Sequence, residues 1–402
     1  MNQKTLDFIR HQAEADVRQL ALQGCKDPQV DLTMALEQIA GWQAARTKLP
    51  SWAAVDGIVY PPHLSMEQCS SELTARYKAE VAGSGRKLVD LTGGFGVDCF
   101  TMSSHFEQTV YVERQPQLCA ISSENIRALG LATVSVVNAD GADYLHQLDS
   151  ADVIFVDPAR RDEHGARTYG IADCTPNVLE LMDELVTKAD RVLLKLSPML
   201  DWRKAVADIE ATGKARVGEV HIVSVDNECK ELLVKVRKGE SEKVRNNKIV
   251  CVNLLRDYTQ EIFDFEVPFS PSHPLTLSPS HPLNFLFVPN ASVMKAGCFD
   301  EIAGRFAISQ LDSNSHLFVS DADVPDFPGR RFRIDGTTTM NKRELKATLA
   351  GIDCANIAVR NFPMSVAELR KRLKLKDGGS TFIFGTTVAN EGHKLYICRK
   401  IG

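Results

Sequence analysis

The densest chemical signal in the chain is the run Val89-Asp90-Leu91-Thr92-Gly93-Gly94-Phe95-Gly96-Val97-Asp98. An apolar stretch ends in an acid and passes through three glycines before a helix begins. Glycine lets the backbone turn sharply and approach a ligand closely. The start of the following helix offers free N–H groups to an anionic group. Glu113 closes the next apolar run, 17 residues past Gly96, where a carboxylate can accept hydrogen bonds from both hydroxyls of a ribose. Dinucleotide sites and S-adenosylmethionine sites share this pairing. The dinucleotide fingerprint needs a glycine where Cys99 stands. Asp90 would also be repelled by a pyrophosphate, whereas it suits a cationic α-amino group. The residues therefore favour S-adenosylmethionine over a nicotinamide dinucleotide.

Two further polar clusters follow apolar runs. Asn138-Ala139-Asp140 comes after the third, where Asp140 is either a ligand contact or the cap of the next helix. Asp157-Pro158-Ala159-Arg160-Arg161 comes after the fourth, at the carboxyl end of a sheet, where doubly wound folds bind ligands. Asp157 is the candidate that positions an acceptor amine or takes its proton, and Arg160 and Arg161 are candidates to hold a nearby phosphate. Upstream, Ser70 or Ser71 is either a helix cap or part of a segment over the site. The charged turn Asp226–Glu231 is either solvated or part of the same end of the sheet.

The elements that must position these residues follow from periodicity. Helical spacing joins Phe8, Ile9, Ala13, Val17, Leu20 and Leu22, and again Leu32, Leu36, Ile39, Trp42 and Ala45. Pro50, Pro61 and Pro62 break the pattern, and a third helix is expected from Ser65 to about Val81. Short apolar runs then alternate with helices: Lys87–Leu91, Thr109–Glu113, Val134–Asn138, Val153–Asp157 and Arg191–Leu196. That pattern predicts parallel βαβ units. Val217–Val225 and Leu232–Arg237 lie too close for a helical crossover and are expected to pair as an antiparallel hairpin. SPSHPL at 270–275 and again at 278–283 marks a Pro-rich linker, whose His273 and His281 are weak metal-ligand candidates beside the reading of a solvated linker. Beyond it come a strand at FLFVP, a helix from Ser292, a strand at HLFVS, a helix at Lys342–Ala350, a strand at NIAVR, a basic helix at Ser365–Leu373 and a final hairpin.

Composition sets limits. The 402 residues are 44% apolar and 25% charged, ordinary for a globular protein and against disorder or a coiled coil. No run is apolar for about 18 residues, so no membrane helix is expected, nor does the N-terminus look like a secretory signal. Ten cysteines without C-x-x-C spacing point to reduced, mostly buried thiols in a cytoplasmic protein, with no metal. The net charge of −5 conceals an asymmetry. Residues 323–402 hold 15 Lys and Arg against 8 Asp and Glu, net +7, and the remainder carries −12. Arg330, Arg331 and Arg333 crowd one stretch and Arg370, Lys371, Arg372, Lys374 and Lys376 another, as in surfaces that bind phosphates.

VDLTGGFGVD, YVERQ, NADG, DPARRD, EQCSSELTARYKAE and DNECKELL, with PNASVMKAG, FPGRRFRI and ELRKRLKLKDGGSTFIFGTT, together resemble a bacterial family of class I S-adenosylmethionine-dependent methyltransferase-like proteins with a THUMP-like C-terminal domain. The resemblance implies an α/β, Rossmann-like sheet of parallel strands closed by an antiparallel hairpin. It divides the chain into a helical region 1–80, a methyltransferase domain 81–240, a linker and Pro-rich loop 241–288, a small α/β, ferredoxin-like segment 289–322 and a THUMP-like α+β module 323–402. S-adenosylmethionine is then the cofactor, expected at Asp90, Thr92, Gly93, Gly94, Phe95, Gly96, Asp98, Glu113, Arg114, Asn138, Ala139 and Asp140. Asp157, Pro158 and Arg160 are the expected catalytic residues. DPARR is similar to the D-P-P-R of RNA 5-methyluridine methyltransferases, but no S-C-N-P follows the next strand, where Lys195-Leu196-Ser197-Pro198 stands, so a cysteine nucleophile is not expected and Cys174 is taken as structural. By analogy the THUMP-like module implies structured RNA as partner, through Arg330, Arg331, Arg370, Lys371, Arg372, Lys374 and Lys376. A methyltransferase acting on protein or a small molecule, and a non-catalytic RNA-binding protein, are the alternatives.

Overall fold

Apolar strands and glycine turns build the site's scaffold as the alternation predicts. The computed structural model describes residues 1–160, 170–239, 247–267 and 283–401, with the Arg160 side chain outside that description. By contacts the chain forms two units, Met1–His221 with Lys230–Arg245 and Ile222–Cys229 with Asn246–Gly402.

The first unit opens with helices α1 (Gln3–Gln12), α2 (Val17–Gln23), α3 (Leu32–Lys48), α4 (Pro50–Ala53), α5 (His63–Gln68) and α6 (Glu72–Ala82). The single helix expected from Ser65 to Val81 is thus two. Cys69 turns extended, and the Ser71 side chain caps α6 by accepting from the Thr74 N–H. Pro50 opens α4, where its missing N–H costs nothing.

The parallel core is β1 (Gly85–Asp90), α7 (Val97–Met102), β2 (Phe106–Glu113), α8 (Pro116–Leu129), β3 (Val134–Asn138), α9 (Gly141–Gln147) and β4 (Ala151–Val156). A two-residue ladder pairs β5 (Ala159–Arg160) with β6 (Cys174–Thr175). There follow α10 (Met182–Lys188), β7 (Ala189–Leu196), α11 (Trp202–Ala211), β8 (Ala215–Val225) and β9 (Glu228–Lys238). The strands run in the order β3-β2-β1-β4-β7-β9-β8. The first five are parallel, and β9 joins β7 antiparallel. Buried on both faces, the central strands read as continuous apolar runs. Chain direction places Asp90, Glu113, Asp157 and Leu196 together at the carboxyl edge.

Trp52 of α4 ties the helical region to this sheet. Its ring stacks on Phe100 at 5.9 Å and meets Phe95 edge-on at 5.2 Å, and Phe100 lies 5.7 Å from Tyr111. Such aromatic packing adds about 0.5–1.5 kcal/mol per pair beyond burial, and it is built directly beneath the glycine loop.

The second unit departs from the sequence reading in more than one place. Residues 247–267, read as linker, form an antiparallel hairpin of β10 (Asn247–Leu254) and β11 (Gln260–Val267). The alternation in QEIFDFEV leaves one face exposed and buries Phe263 and Phe265. The rest is β12 (Phe285–Pro289), α12 (Ala291–Ala296), α13 (Phe299–Phe306), β13 (Ser309–Gln310), β14 (Phe318–Ser320), β15 (Gly329–Thr338), α14 (Lys342–Thr348), β16 (Asn356–Arg360), α15 (Val366–Leu373), β17 (Thr381–Val388) and β18 (Gly392–Ile401). A seven-stranded sheet orders them β13-β14-β12-β15-β18-β17-β16. Its strand β15, unforeseen in the sequence, carries Arg330, Arg331 and Arg333. Ten cysteines are free thiols, six of them buried. No helix among the described residues is long and apolar enough to cross a membrane.

Candidate active site

A cavity of about 650 Å³ opens at the carboxyl edge of the first unit's sheet. That is within the range of cofactor and substrate sites. Its wall includes Asp90, Thr92, Gly93, Gly94, Phe95, Gly96, Asp98, Glu113, Arg114 and Asp140, and also Asp157, Pro158 and Ala159.

The loop after β1 is held rigidly. The Gly93 N–H donates to the Val112 carbonyl at 2.8 Å, the Gly94 N–H to Glu113 Oε2 at 2.9 Å, and the Tyr111 hydroxyl to the Gly94 carbonyl at 2.5 Å. Glu113 Oε1 accepts from the Gln115 N–H at 2.8 Å, and the residue is 7% exposed. A Cβ on Gly93 would lie 2.3 Å from the Tyr111 ring, so only glycine fits. Gly96 has φ +87°, the left-handed region that favours glycine.

Asp90 is 1% exposed, and its Oδ1 accepts from the Thr92 N–H at 2.9 Å and the Thr92 hydroxyl at 3.3 Å. Burial, reinforced by Asp98 and Asp157, pushes its pKa up to about 8. Thr92 Oγ1 in turn accepts from the Asp157 N–H at 2.7 Å and so joins the ends of β1 and β4.

A chain of charges that the sequence did not announce runs through the wall at Asp98, Asp157, Lys195 and Glu231, with Lys78 behind it. Lys78 on α6 is 0% exposed. Its Nζ sits 2.6 and 2.7 Å from the two Glu231 carboxylate oxygens and 3.3 Å from Asp98 Oδ1. Ser70 donates to Asp98 Oδ2 at 2.8 Å. Lys195 lies 2.5 Å from Asp157 Oδ2 and 3.7 Å from Asp98 Oδ2. Burial alone would lower the Lys195 pKa, but Asp157, Asp98 and Glu231 outweigh it and hold it above the ordinary lysine value. Burial alone would raise Asp98, but Lys78 and Lys195 hold it below the ordinary carboxyl value. Ser70 and Ser71 thus divide the two roles proposed for them: Ser71 caps the helix and Ser70 binds Asp98.

The other expected residues fall as follows. Asp140 caps α9, accepting from the Ala142 N–H at 2.9 Å, and also borders the cavity. Asn138 and Ala139 are not among the wall residues: their amide groups, the Asn138 side chain and the Ala139 backbone, donate to the Glu113 carbonyl and tie β3 to β2. Phe95 borders the cavity, but its ring is committed to the core against Trp52. Arg161, His273, His281 and the Arg160 side chain lie outside the described residues. Cys174 is buried and not among the wall residues, and the Cys69 thiol in the wall is raised by burial, which keeps it neutral and a poor nucleophile. No group of residues among those described could hold a metal ion.

In the second unit, strand alternation puts Arg331 and Arg333 on one face of β15 and Arg330 on the other. Arg331 is paired with both oxygens of Asp323, and Arg370 with Asp377 and the Ala355 carbonyl. Each of these two thus already has a carboxylate partner. Lys371, Arg372, Lys374 and Lys376 are exposed, with no ion pair among the described residues.

Comparison with known proteins agrees with this architecture. The THUMP domain-like family matches residues 329–400, a ferredoxin-like domain family matches 285–328, and the protein-L-isoaspartate(D-aspartate) O-methyltransferase family matches 73–163. The crystal structure of a candidate methyltransferase from Porphyromonas gingivalis W83 is 33% identical over 100% of both chains, with a TM-score of 0.86. An otherwise uncharacterised S-adenosylmethionine-dependent methyltransferase of Mycobacterium tuberculosis (strain H37Rv) is 24% identical over 341 residues, 83% of this chain and 87% of that one. The chain belongs to the class I S-adenosylmethionine-dependent methyltransferases that carry a C-terminal THUMP-like domain.

Proposed function

We propose that this enzyme methylates a base amine of structured RNA. One observation supports it most: a single cavity is bordered by acids suited to the cofactor and by Asp157, whose second carboxylate oxygen has no partner among the described residues. In this reading Asp90 holds the cofactor's amino group, Glu113 its ribose and Asp140 its adenine. Gly93, Gly94 and Gly96 bring the backbone close, and Thr92 and Arg114 complete the wall. The cavity's surplus of acids suits a ligand carrying an ammonium and a sulfonium. When bound, S-adenosylmethionine supplies a methyl group on an already activated sulfonium. The protein therefore has mainly to orient the acceptor and exclude water, and Asp157 with Pro158 orients the amine.

Asp90 gives this assignment a pH signature. With its pKa near 8, the free protein holds it protonated at neutral pH, and an ammonium ligand favours the ionised form. Binding at pH 7 should release a proton from Asp90, and affinity should fall as pH drops below about 8. Calorimetry in buffers of different ionisation enthalpy measures that proton. Asp90→Asn should abolish the release; release unchanged in the variant would remove Asp90 from the site.

RNA docking rests on the exposed cations of 371–376. Replacing Lys371, Arg372, Lys374 and Lys376 by glutamate should weaken binding to total cellular RNA and flatten its salt dependence by about one logarithmic unit per lost phosphate contact. Binding that is independent of salt in the wild-type protein would favour a protein or small-molecule acceptor. Mass spectrometry of RNA nucleosides from a deletion strain against its parent would then identify the methylated base.

A further inference from the structure

The sequence left Asp157 with two roles, holding an amine or taking its proton. We propose that Lys195 is a positioning residue that fixes Asp157 as a hydrogen-bond acceptor for an N–H of the methyl acceptor rather than as a base. The inference rests on the reading that Asp157 faces the acceptor.

The geometry carries it. Asp157 Oδ2 is engaged by Lys195 at 2.5 Å, while its other oxygen has no partner among the described residues. Lys195 is itself mostly buried, with 13% of its side chain exposed, and it borders the cavity. On its far side stands Asp98 at 3.7 Å, which is shared with Lys78 and accepts from Ser70. Lys78 is held by both oxygens of Glu231. The ionisable groups that act on Asp157 and Lys195 include Asp98, Asp90 and Glu231, with Lys78 behind them.

Three carboxylates here share two ammonium groups. Protonating Asp157 would leave Lys195 with only the more distant Asp98, in a site where an unpaired ammonium is costly. The raised pKa of Lys195 agrees, since it keeps the cation in place. Asp157 therefore accepts a hydrogen bond without accepting the proton. A nitrogen acceptor with a lone pair suits such a site. It forms the new N–C bond with that pair while the methyl–sulfur bond breaks toward sulfur, and it then sheds its surplus proton to water.

A double-mutant cycle tests the proposal. The acceptor probe is a whole extract of a deletion strain, containing RNA, protein and small molecules alike, methylated with tritiated S-adenosylmethionine. Asp157→Ala and Lys195→Met should each lower turnover by about 100-fold, whereas Asp157→Asn, which keeps an acceptor oxygen, should lose no more than about 10-fold. The Asp157→Ala/Lys195→Met double variant should be no slower than Asp157→Ala beyond about 3-fold, because Lys195 acts through Asp157. S-adenosylhomocysteine affinity by calorimetry should stay within about 3-fold throughout. Lys195→Arg, which keeps the cation, should restore most of the turnover. Lys195→Met with wild-type turnover, or losses that multiply in the double variant, would overturn the role of Lys195. A loss of about 100-fold in Asp157→Asn would instead point to a base, and wild-type turnover in Asp157→Ala would sink the underlying reading of Asp157. If Lys195→Met does not fold, Lys195→Gln enters the same cycle.

Discussion

Glu113→Ala should weaken S-adenosylmethionine binding by about 100-fold or more. Two losses combine. The carboxylate is the group placed to accept the ribose hydroxyls, and charge-assisted hydrogen bonds contribute about 1.5–3 kcal/mol each. The same carboxylate also fixes the loop by accepting from the Gly94 and Gln115 N–H groups. Its removal loosens the backbone that must approach the cofactor. About 3 kcal/mol corresponds to roughly 100-fold in affinity. Titration calorimetry reads this directly, and Glu113→Gln separates the two parts, since an amide oxygen can still accept from one backbone N–H. A dissociation constant within about 3-fold of wild type in Glu113→Ala would remove Glu113 from the cofactor site.

Lys78→Met should be the most destabilising single change around the site. It leaves Glu231 and Asp98 buried without the ammonium they share, and breaking a buried ion pair costs about 3–5 kcal/mol. The sign with pH is definite. Burial already raises the Glu231 carboxyl, and without Lys78 it rises further. The folded variant then holds a proton that the unfolded chain has released, so its stability improves as pH falls through the raised value. Urea unfolding at pH 7 and at about pH 5.5 should show the deficit relative to wild type shrinking at the lower pH. A deficit that is equal at both, or below about 1 kcal/mol, would mean that water reaches these carboxylates.

The glycine loop and Glu113 were legible in the sequence because their chemistry is local: one strand, one turn, and an acid ending the next strand. The same holds for the closing hairpin, whose short connection leaves only one pairing. Lys78 and Lys195 were not legible. Lys78 stands on an apolar helix face 153 residues from Glu231, and Lys195 lies within an apolar strand 38 residues from Asp157. Such a lysine is recognisable only as an oddity until the fold supplies its partner. In the basic stretch at 330–333 the spacing could not show that a strand sends neighbouring side chains to opposite faces or that Asp323 pairs with Arg331. The hairpin at 247–267 was lost because its exposed edge strand alternates acids with aromatics, a pattern easily taken for loop.

Tyr111 sets one further property of the enzyme. Its ring fills the space over Gly93 and its hydroxyl holds the Gly94 carbonyl, so the loop's shape is dictated by a side chain of the protein rather than by whatever occupies the cavity. A recess whose floor is already cast has little ordering left to do when a ligand arrives. Association can then proceed in one kinetic step, at a rate governed by diffusion and orientation, and residence time becomes the variable through which cofactor and demethylated product are told apart.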